Sequence, residues 1–327
     1  MIRKRLSSSD YRAQREQVRA TKSEHPRPTS EHPRRMFGRP PARLAQQSTG
    51  STQPSRFAQQ STSKQKTSWE KVSEWYNELV GSNGQYYHQH VILPNLLRLL
   101  NLSHFDSVLD IGCGQGVLAR AIPPVSRYLG LDISPSLISQ ARKQTRQRGA
   151  QFAVADVTAP FSHVKEITKQ PFTHAVAVLS MQNLEHPDQC IQSVAQVLEN
   201  DGVFALVINH PCFRIPRQSS WQIDEQNKTQ YRRINRYLSP IAIPISMKPS
   251  ASRNSKHEKL TWSYHFPLSY FVSQLANAGF VIEHLEEWGS DKQSAGANAK
   301  MENRSRDEFP LFMAIVARKI RIKNPTR

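Results

Sequence analysis

Val108-Leu109-Asp110-Ile111-Gly112-Cys113-Gly114-Gln115-Gly116 is the stretch on which the fold turns. An apolar run holds an acidic residue near its end, a bend with glycine at alternate positions follows, and the pattern becomes helical over Gln115–Ile122. Glycine lets the backbone approach a ligand closely, and the helix behind it presents unpaired N–H groups in its first turn. In an open α/β sheet, ligands bind at the carboxyl ends of the strands, where such a bend lies. Alone, the bend would serve a dinucleotide equally well.

Outward from it, strand and helix patterns alternate. Strands read at Ser107–Ile111, Tyr128–Ile133, Gln151–Ala155, His174–Ser180, Val203–Asn209, Phe280–Trp288 and Leu311–Lys319. Helices read at Gln115–Ile122, Pro135–Arg148, Pro187–Leu198 and Leu268–Asn277. Ala175-Val176-Ala177-Val178-Leu179 is apolar at every position, as a strand covered on both faces must be. The alternation predicts a parallel, right-handed, doubly wound α/β sheet, Rossmann-like in layout. Ahead of it, Trp69, Val72, Trp75, Tyr76, Leu79 and Val80 fall on one helical face, with Ser68 as N-cap and Gly81-Ser82-Asn83-Gly84 as the stop. A second apolar segment, Tyr87 to Leu100, places Pro94 as the first residue of a helix Asn95–Leu100. Gly289–Pro310 is polar and shows no helix pattern.

Three details narrow the ligand. The dinucleotide fingerprint requires glycine at its sixth position, and Val117 stands there. Asp110 directly before Ile111 and the first glycines suits an ammonium and suits a pyrophosphate poorly. Asp132 closes the next strand, 20 residues beyond Gly112, where a carboxylate accepts from both hydroxyls of a ribose. Asp156 closes the third, in reach of an adenine amino group. One such aspartate could be a solvated turn; three in register at successive strand ends point to one ligand.

With these residues the chain resembles the class I S-adenosylmethionine-dependent methyltransferases, over about 250 residues. The resemblance implies S-adenosyl-L-methionine as cofactor and a seven-stranded sheet with its last strand antiparallel, here Leu311–Lys319. It implies a cofactor site of Asp110, Gly112, Cys113, Gly114 and Gly116 at the methionine part, Asp132 and Ile133 at the ribose, and Asp156 and Val157 at the adenine, with Ser180 and Met181 below the methyl group. Within the family the chain resembles a bacterial, type 11-like branch of small-molecule methyltransferases. The residues are Asn209-His210-Pro211-Cys212-Phe213 after the fifth strand, then Ser263-Tyr264-His265-Phe266-Pro267 and Ala278-Gly279-Phe280. His210 and His265 are the candidate general bases; Gln182, Asn183, Tyr76, Tyr87 and Phe213 are the candidate acceptor pocket.

Residues Pro211–Trp262 read as a lid inserted after strand five, with the segment around Trp75 and Tyr87 as a helical cap opposite. The lid holds ten Lys/Arg against Asp224, Glu225 and Glu258, and interleaves Phe213, Trp221, Tyr231, Tyr237 and Trp262. Such a surface suits an anionic small molecule, or a nucleic acid held by phosphate contact and stacking. The leading expectation is methyl transfer to oxygen or nitrogen of a small, anionic metabolite. The alternatives are an RNA methyltransferase and a cofactor-binding module without catalysis.

The 327 residues carry a net charge of +18, and residues 1–66 hold 15 Lys/Arg against 4 Asp/Glu, so the tail supplies most of the excess. That tail is polar and repeats Ser-Glu-His-Pro-Arg at Ser23 and Ser30, units too short to bury a face; it reads as disordered, with nucleic acid as a candidate partner. A solvated leader without a partner and a transit peptide are the other readings. Residues 321–327 form a short basic C-terminal tail. Cys113, Cys190 and Cys212, without paired spacing, exclude a disulfide framework and a multi-cysteine zinc site. They suit a reducing, cytoplasmic setting. No apolar run approaches the ~18–20 residues of a membrane span.

Overall fold

The computed structural model describes residues 69–81, 84–164, 167, 170–246 and 260–321. The basic tail 1–66, the Ser68 cap, the middle of the lid with Lys248, Arg253, Lys256, Glu258 and Lys259, and residues 322–327 lie outside the described residues.

Among the described residues, seven strands form one sheet: β1 (Ser107–Ile111), β2 (Arg127–Asp132), β3 (Ala150–Val154), β4 (Phe172–Val178), β5 (Leu198–Asn209), β10 (Phe280–Trp288) and β11 (Phe312–Lys319). Their spatial order is β10-β11-β5-β4-β1-β2-β3. Strands β1 to β5 pair in parallel, and β11 runs antiparallel to both β5 and β10. The chain thus has the doubly wound sheet with antiparallel last strand that the residue pattern and the resemblance predict.

Alternation along each strand divides the core in two. Leu109 and Ile111, Ala175 and Ala177, and Phe204, Leu206 and Ile208 enter one apolar layer. There they meet α5 (Pro187–Val197) through Ile191 and Val194, and α6 (Leu268–Asn277) through Phe271 and Leu275. Val108, Val176, Ala205, Val207 and Phe312 enter the other. That layer is closed by Leu96 and Leu100 of α2 (Leu93–Leu100), Leu118 of α3 (Val117–Ala121) and Ile138 and Ala141 of α4 (Pro135–Gln144). Truncating a fully buried aromatic of these layers, such as Phe172 or Phe204, costs about 3–5 kcal/mol.

The boundaries shift where local chemistry intervenes. Helix α3 starts at Val117 rather than Gln115, because Gly114 and Gly116 sit at φ +53° and +80° and keep the bend open. Helix α4 begins as expected, with Ser134 accepting from the Leu137 N–H and Pro135 in the first turn, but ends at Gln144. Ahead of α2, a π-helical turn (His88–Ile92) precedes the expected helix and moves its start to Leu93. Helix α1 (Trp69–Val80) forms where its stripe predicts, with Val72 and Val80 buried and Leu79 left half exposed.

Two regions correct the expectation from sequence. The polar stretch after β10 contains helix α7 (Ala299–Glu308), which buries only Met301 and Ser305. It is held by polar contacts: Ser305 Oγ donates to the Gln230 carbonyl at 2.9 Å, and Arg306 pairs with Glu302 one turn away at 3.5 Å. The described part of the lid is two hairpins, β6 (Ser219–Asp224) with β7 (Thr229–Ile234), and β8 (Ile241–Ser246) with β9 (Leu260–His265). Among the described residues, no helix is long and apolar enough to cross a membrane.

Candidate functional site

Parallel strands deliver their carboxyl ends to one edge of the sheet, and a cavity of about 620 Å³ opens there. It is lined by Gly112 and Gly114 of the bend, by Asp132, Ile133, Asp156 and Val157 beyond β2 and β3, and by Leu179, Ser180 and Asn183 beyond β4. Trp69 and Tyr76 of α1 cover one side, and Glu185, His186 and Tyr264 form another wall. The volume is ordinary for a site that encloses a small molecule.

The bend is built by close approach. Gly112 stands at φ +68°, and a Cβ there would lie 2.5 Å from Ser180 Cβ. Ser180 Oγ in turn donates to the Ile111 carbonyl at 2.6 Å. The chain reaches Ser180 through Leu179, a leucine at φ +52°, a conformation that costs a branched side chain about 1–3 kcal/mol and concentrates at functional sites. Asp132 is buried and accepts from the Gly114 N–H and the Ser134 N–H, both at 2.9 Å, so its carboxylate holds the bend and the start of α4 together. Burial pushes its pKa up, against those two N–H groups. Asp156 is exposed and accepts from Thr158 N at 3.0 Å and Thr158 Oγ1 at 2.6 Å.

Asp110 does not line the large cavity. It is buried, accepts from the Tyr128 hydroxyl at 2.5 Å, and lines a small polar chamber of about 30 Å³ with Tyr76, His88 and Gln115. Burial raises its pKa to about 7, the Tyr128 hydroxyl opposing and the charge of Asp132 adding. Gln115 donates its amide N–H to the Gly81 carbonyl at 2.5 Å, leaving Oε1 buried and without a partner, and His88 Nδ1 is likewise buried and unpartnered. A carboxylate and orphaned polar atoms around one chamber, below the glycine bend, fit the amino-acid end of a sulfonium nucleoside. Tyr76 joins this chamber to the large cavity, since it lines both.

Several residues singled out from sequence stand elsewhere. His210 is 1% exposed, and both ring nitrogens are engaged: Nδ1 accepts from the Cys212 N–H at 3.2 Å, so Nε2 carries the proton and donates to Glu287 at 2.6 Å. Burial lowers its pKa, with Glu287 opposing. His265 is also buried and gives its Nε2 proton to the Tyr237 carbonyl at 2.6 Å. Neither lines the large cavity; His210 holds the Cys212 N–H and Glu287, and His265 holds the Tyr237 carbonyl while lining the smaller cleft beside the cavity. Met181 packs fully buried in the core layer below α5, and Gly116 approaches Thr145, Ala141 and Phe152, so neither meets the cavity. Cys113 packs its thiol over Gly130, where a Cβ would lie 2.8 Å from the sulfur, and reaches only the small chamber. Tyr87 rests on Phe312 and bonds Ser290, and Phe213 packs against His210 and edge-on against Phe309; neither lines the large cavity. Gln182 turns into a separate cleft beside the cavity.

Conversely, Trp69, Glu185, His186 and Tyr264 belong to the cavity although sequence did not single them out for it. The available signal was position: Glu185-His186 stands between the fourth strand and α5, with His186 as the N-cap, at the ligand edge. Tyr264 has its pKa pushed up to about 12, first by burial and then by Glu185, so the phenol stays protonated beside a carboxylate.

Helix α1 is fastened over this edge by Glu70. Its carboxylate accepts from Ser134 Oγ, from Ser136 Oγ at 2.5 Å and from Ser136 N at 3.2 Å, which holds its pKa below the usual range. The hydroxyl of Ser134 therefore ties α1 to the residue whose N–H holds Asp132.

Comparison with known proteins follows this geometry. A family profile described as methyltransferase domain matches residues 109–204. A probable S-adenosylmethionine-dependent methyltransferase of Saccharomyces cerevisiae, CRG1, is 28% identical over 30% of this chain and 34% of its own length. A malonyl-[acyl-carrier protein] O-methyltransferase of Acetivibrio thermocellus is 27% identical over 35% of this chain and 38% of its own. The chain thus matches about a third of the length of these curated relatives. The crystal structure of an S-adenosylmethionine-dependent methyltransferase from Mesorhizobium loti superposes with a TM-score of 0.51 and 24% identity, covering 69% of this chain and 96% of that one; it shares the fold.

Proposed function

We infer that the chain is a class I S-adenosylmethionine-dependent methyltransferase, and that it moves the methyl group to an oxygen or nitrogen of a small molecule. One observation carries this: Asp132, Asp156 and the Gly112–Gly114 bend, from three strand ends, line a single cavity.

When bound, S-adenosylmethionine supplies a methyl group already activated on a sulfonium. In this reading Asp132 holds the ribose hydroxyls, Asp156 with Ile133 and Val157 holds the adenine, and Gly112 and Gly114 carry the methionine part. Asp110 with Gln115 and His88 receives the ammonium. The protein's own work is alignment and exclusion of water, which supply about 7–11 kcal/mol of such a barrier. His186, on the acceptor wall, is the group assigned to take the acceptor's proton, with Glu185 and Tyr264 orienting the acceptor. A base of this kind adds about 10²–10⁴-fold.

The RNA alternative asks the lid for exposed cations; Arg217, Lys228, Arg233 and Arg236 are exposed, while Arg232 is committed to the Phe213 carbonyl, Ser219 and the face of Trp221, and Arg214 is turned inward, so the acceptor experiment decides between the two. The test is incubation of the full chain with a labelled methyl donor and a metabolite extract. Labelled small molecules, lost with Asp132→Ala, support the reading; label found only in RNA contradicts the acceptor class.

A further inference from the structure

Beyond β5 the chain makes a tight turn, and its parts fix one another. His210 N–H donates to the Leu311 carbonyl, its ring receives the Cys212 N–H, and its carbonyl receives the Arg214 N–H at 2.8 Å. The turn drives the Arg214 side chain inward, where the guanidinium lies 5.1 Å over the Phe312 ring. Its Nη1 is buried without a hydrogen-bond partner, and among the described residues no carboxylate pairs with it. The charged neighbour it does have is Arg232, of the same sign; Tyr87 is the other titratable group nearby. Taking a cation partly out of water with no paired charge costs free energy, which leaves Nη1 available to a ligand.

Arg214 lines a cleft with Gln182, Asn209, Ser263, Tyr264 and His265, and Tyr264 is also a wall of the large cavity. Gln182 Oε1 is a second buried polar atom there without a partner. A guanidinium offers a planar fork of N–H donors that matches a carboxylate or a phosphate.

We propose that Arg214 is the acceptor's anion-recognition residue, receiving an oxyanion group, carboxylate or phosphate, of the molecule to be methylated. The inference rests on the methyl-transfer reading, because it takes the space beside Tyr264 for the acceptor's place. It adds a residue and a charge requirement to that reading.

The proposal has a consequence that needs no known substrate. If the charge is retained for binding, removing it relieves the unliganded fold. Full-length Arg214→Met is expected to melt about 2–4 °C above the wild type, because the desolvation cost of a partly buried cation with no paired charge is relieved. A lower or unchanged melting temperature would overturn the proposal, because Arg214 would then be a packing residue on Phe312. Malonate and inorganic phosphate, each titrated at constant ionic strength set with sodium chloride, distinguish the two anions. One of them is expected to raise the wild-type melting temperature saturably and to leave Arg214→Met unmoved, with Arg214→Lys between the two. Equal responses in wild type and Arg214→Met, or none in the wild type, count against it. Calorimetry with S-adenosylmethionine separates the levels. Binding by both proteins within about twofold, with no Arg214-dependent anion response, sinks this inference alone; binding by neither sinks the reading beneath it.

Discussion

Strands β2 and β5 run in parallel to the same edge of the sheet, and each ends on a polar residue that sequence marks for chemistry, Asp132 on the first and His210 just past the second. Asp132 reaches a ligand cavity and His210 does not. The difference lies in the neighbours. Strand β2 is flanked by β1 and β3, both parallel to it, so each chain leaves the edge and the space in front of Asp132 stays open. Strand β5 is flanked by β11, which runs back, so the segment entering β11 crosses the edge beside His210. The Leu311 carbonyl takes the His210 N–H, and Glu287 of β10 takes the ring. A strand end is an accessible position only where its neighbours are parallel.

The largest effect that would sharpen this contrast is on turnover. His186→Ala is expected to lower kcat by about 10²–10⁴-fold while cofactor affinity holds within about twofold. His210→Ala should leave the pH profile of kcat unchanged in shape; a lost basic limb there would break the contrast. The stability effect runs the other way. His210→Ala leaves Glu287 and the Cys212 N–H without their partner and should cost about 1–3 kcal/mol in urea denaturation, whereas His186, exposed, should cost little. The sign with pH also follows. Burial lowers the folded-state pKa of His210, so its contribution is complete above the unfolded value of about 6.5 and is lost progressively as pH falls from there through the lowered folded value. The mutant should lose that part of the acid slope.

A third prediction concerns Asp110. Its carboxyl, at about 7, is neutral below that pH and ionised above, and only the ionised form attracts an ammonium. Cofactor affinity should therefore rise by about tenfold from pH 6 to pH 8, and the rise should vanish in Asp110→Asn. An affinity flat with pH in the wild type would separate Asp110 from the ligand.

The sheet was legible in the sequence because its signals are local: apolar runs of strand length, Pro135 after Ser134, glycines at a bend. So was the placing of Asp132 and Asp156 at the cavity, since a strand followed by a turn fixes where each stands. The surroundings of Met181, Gly116 and the two histidines were not. His210 and His265 are sealed by residues 77 and 28 positions away, contacts no local pattern carries. Helix α7 escaped because it buries two residues and lives on hydrogen bonds from Ser294, Asn303 and Ser305. The first lid hairpin escaped because its strands alternate only weakly and lean on the end of α7, where Phe309 packs edge-on against Trp221. Tyr264 stood one residue from a candidate and was overlooked for it.

The smallest effect expected is from the basic tail. Deleting residues 1–66 should leave cofactor affinity within about twofold of the full chain, because among the described residues the cavity wall begins at Trp69. A large loss would place part of that segment in the cofactor's hold.

The central claim, that the ends of three neighbouring strands converge on one sulfonium nucleoside, is tested most directly by calorimetric titration of the full chain and of Asp132→Ala with S-adenosylmethionine. Saturable binding at one site per chain is expected, weakened by about 10²-fold or more in Asp132→Ala as two charge-assisted hydrogen bonds are lost. No heat of binding at millimolar ligand, or equal affinity in the two proteins, would contradict it.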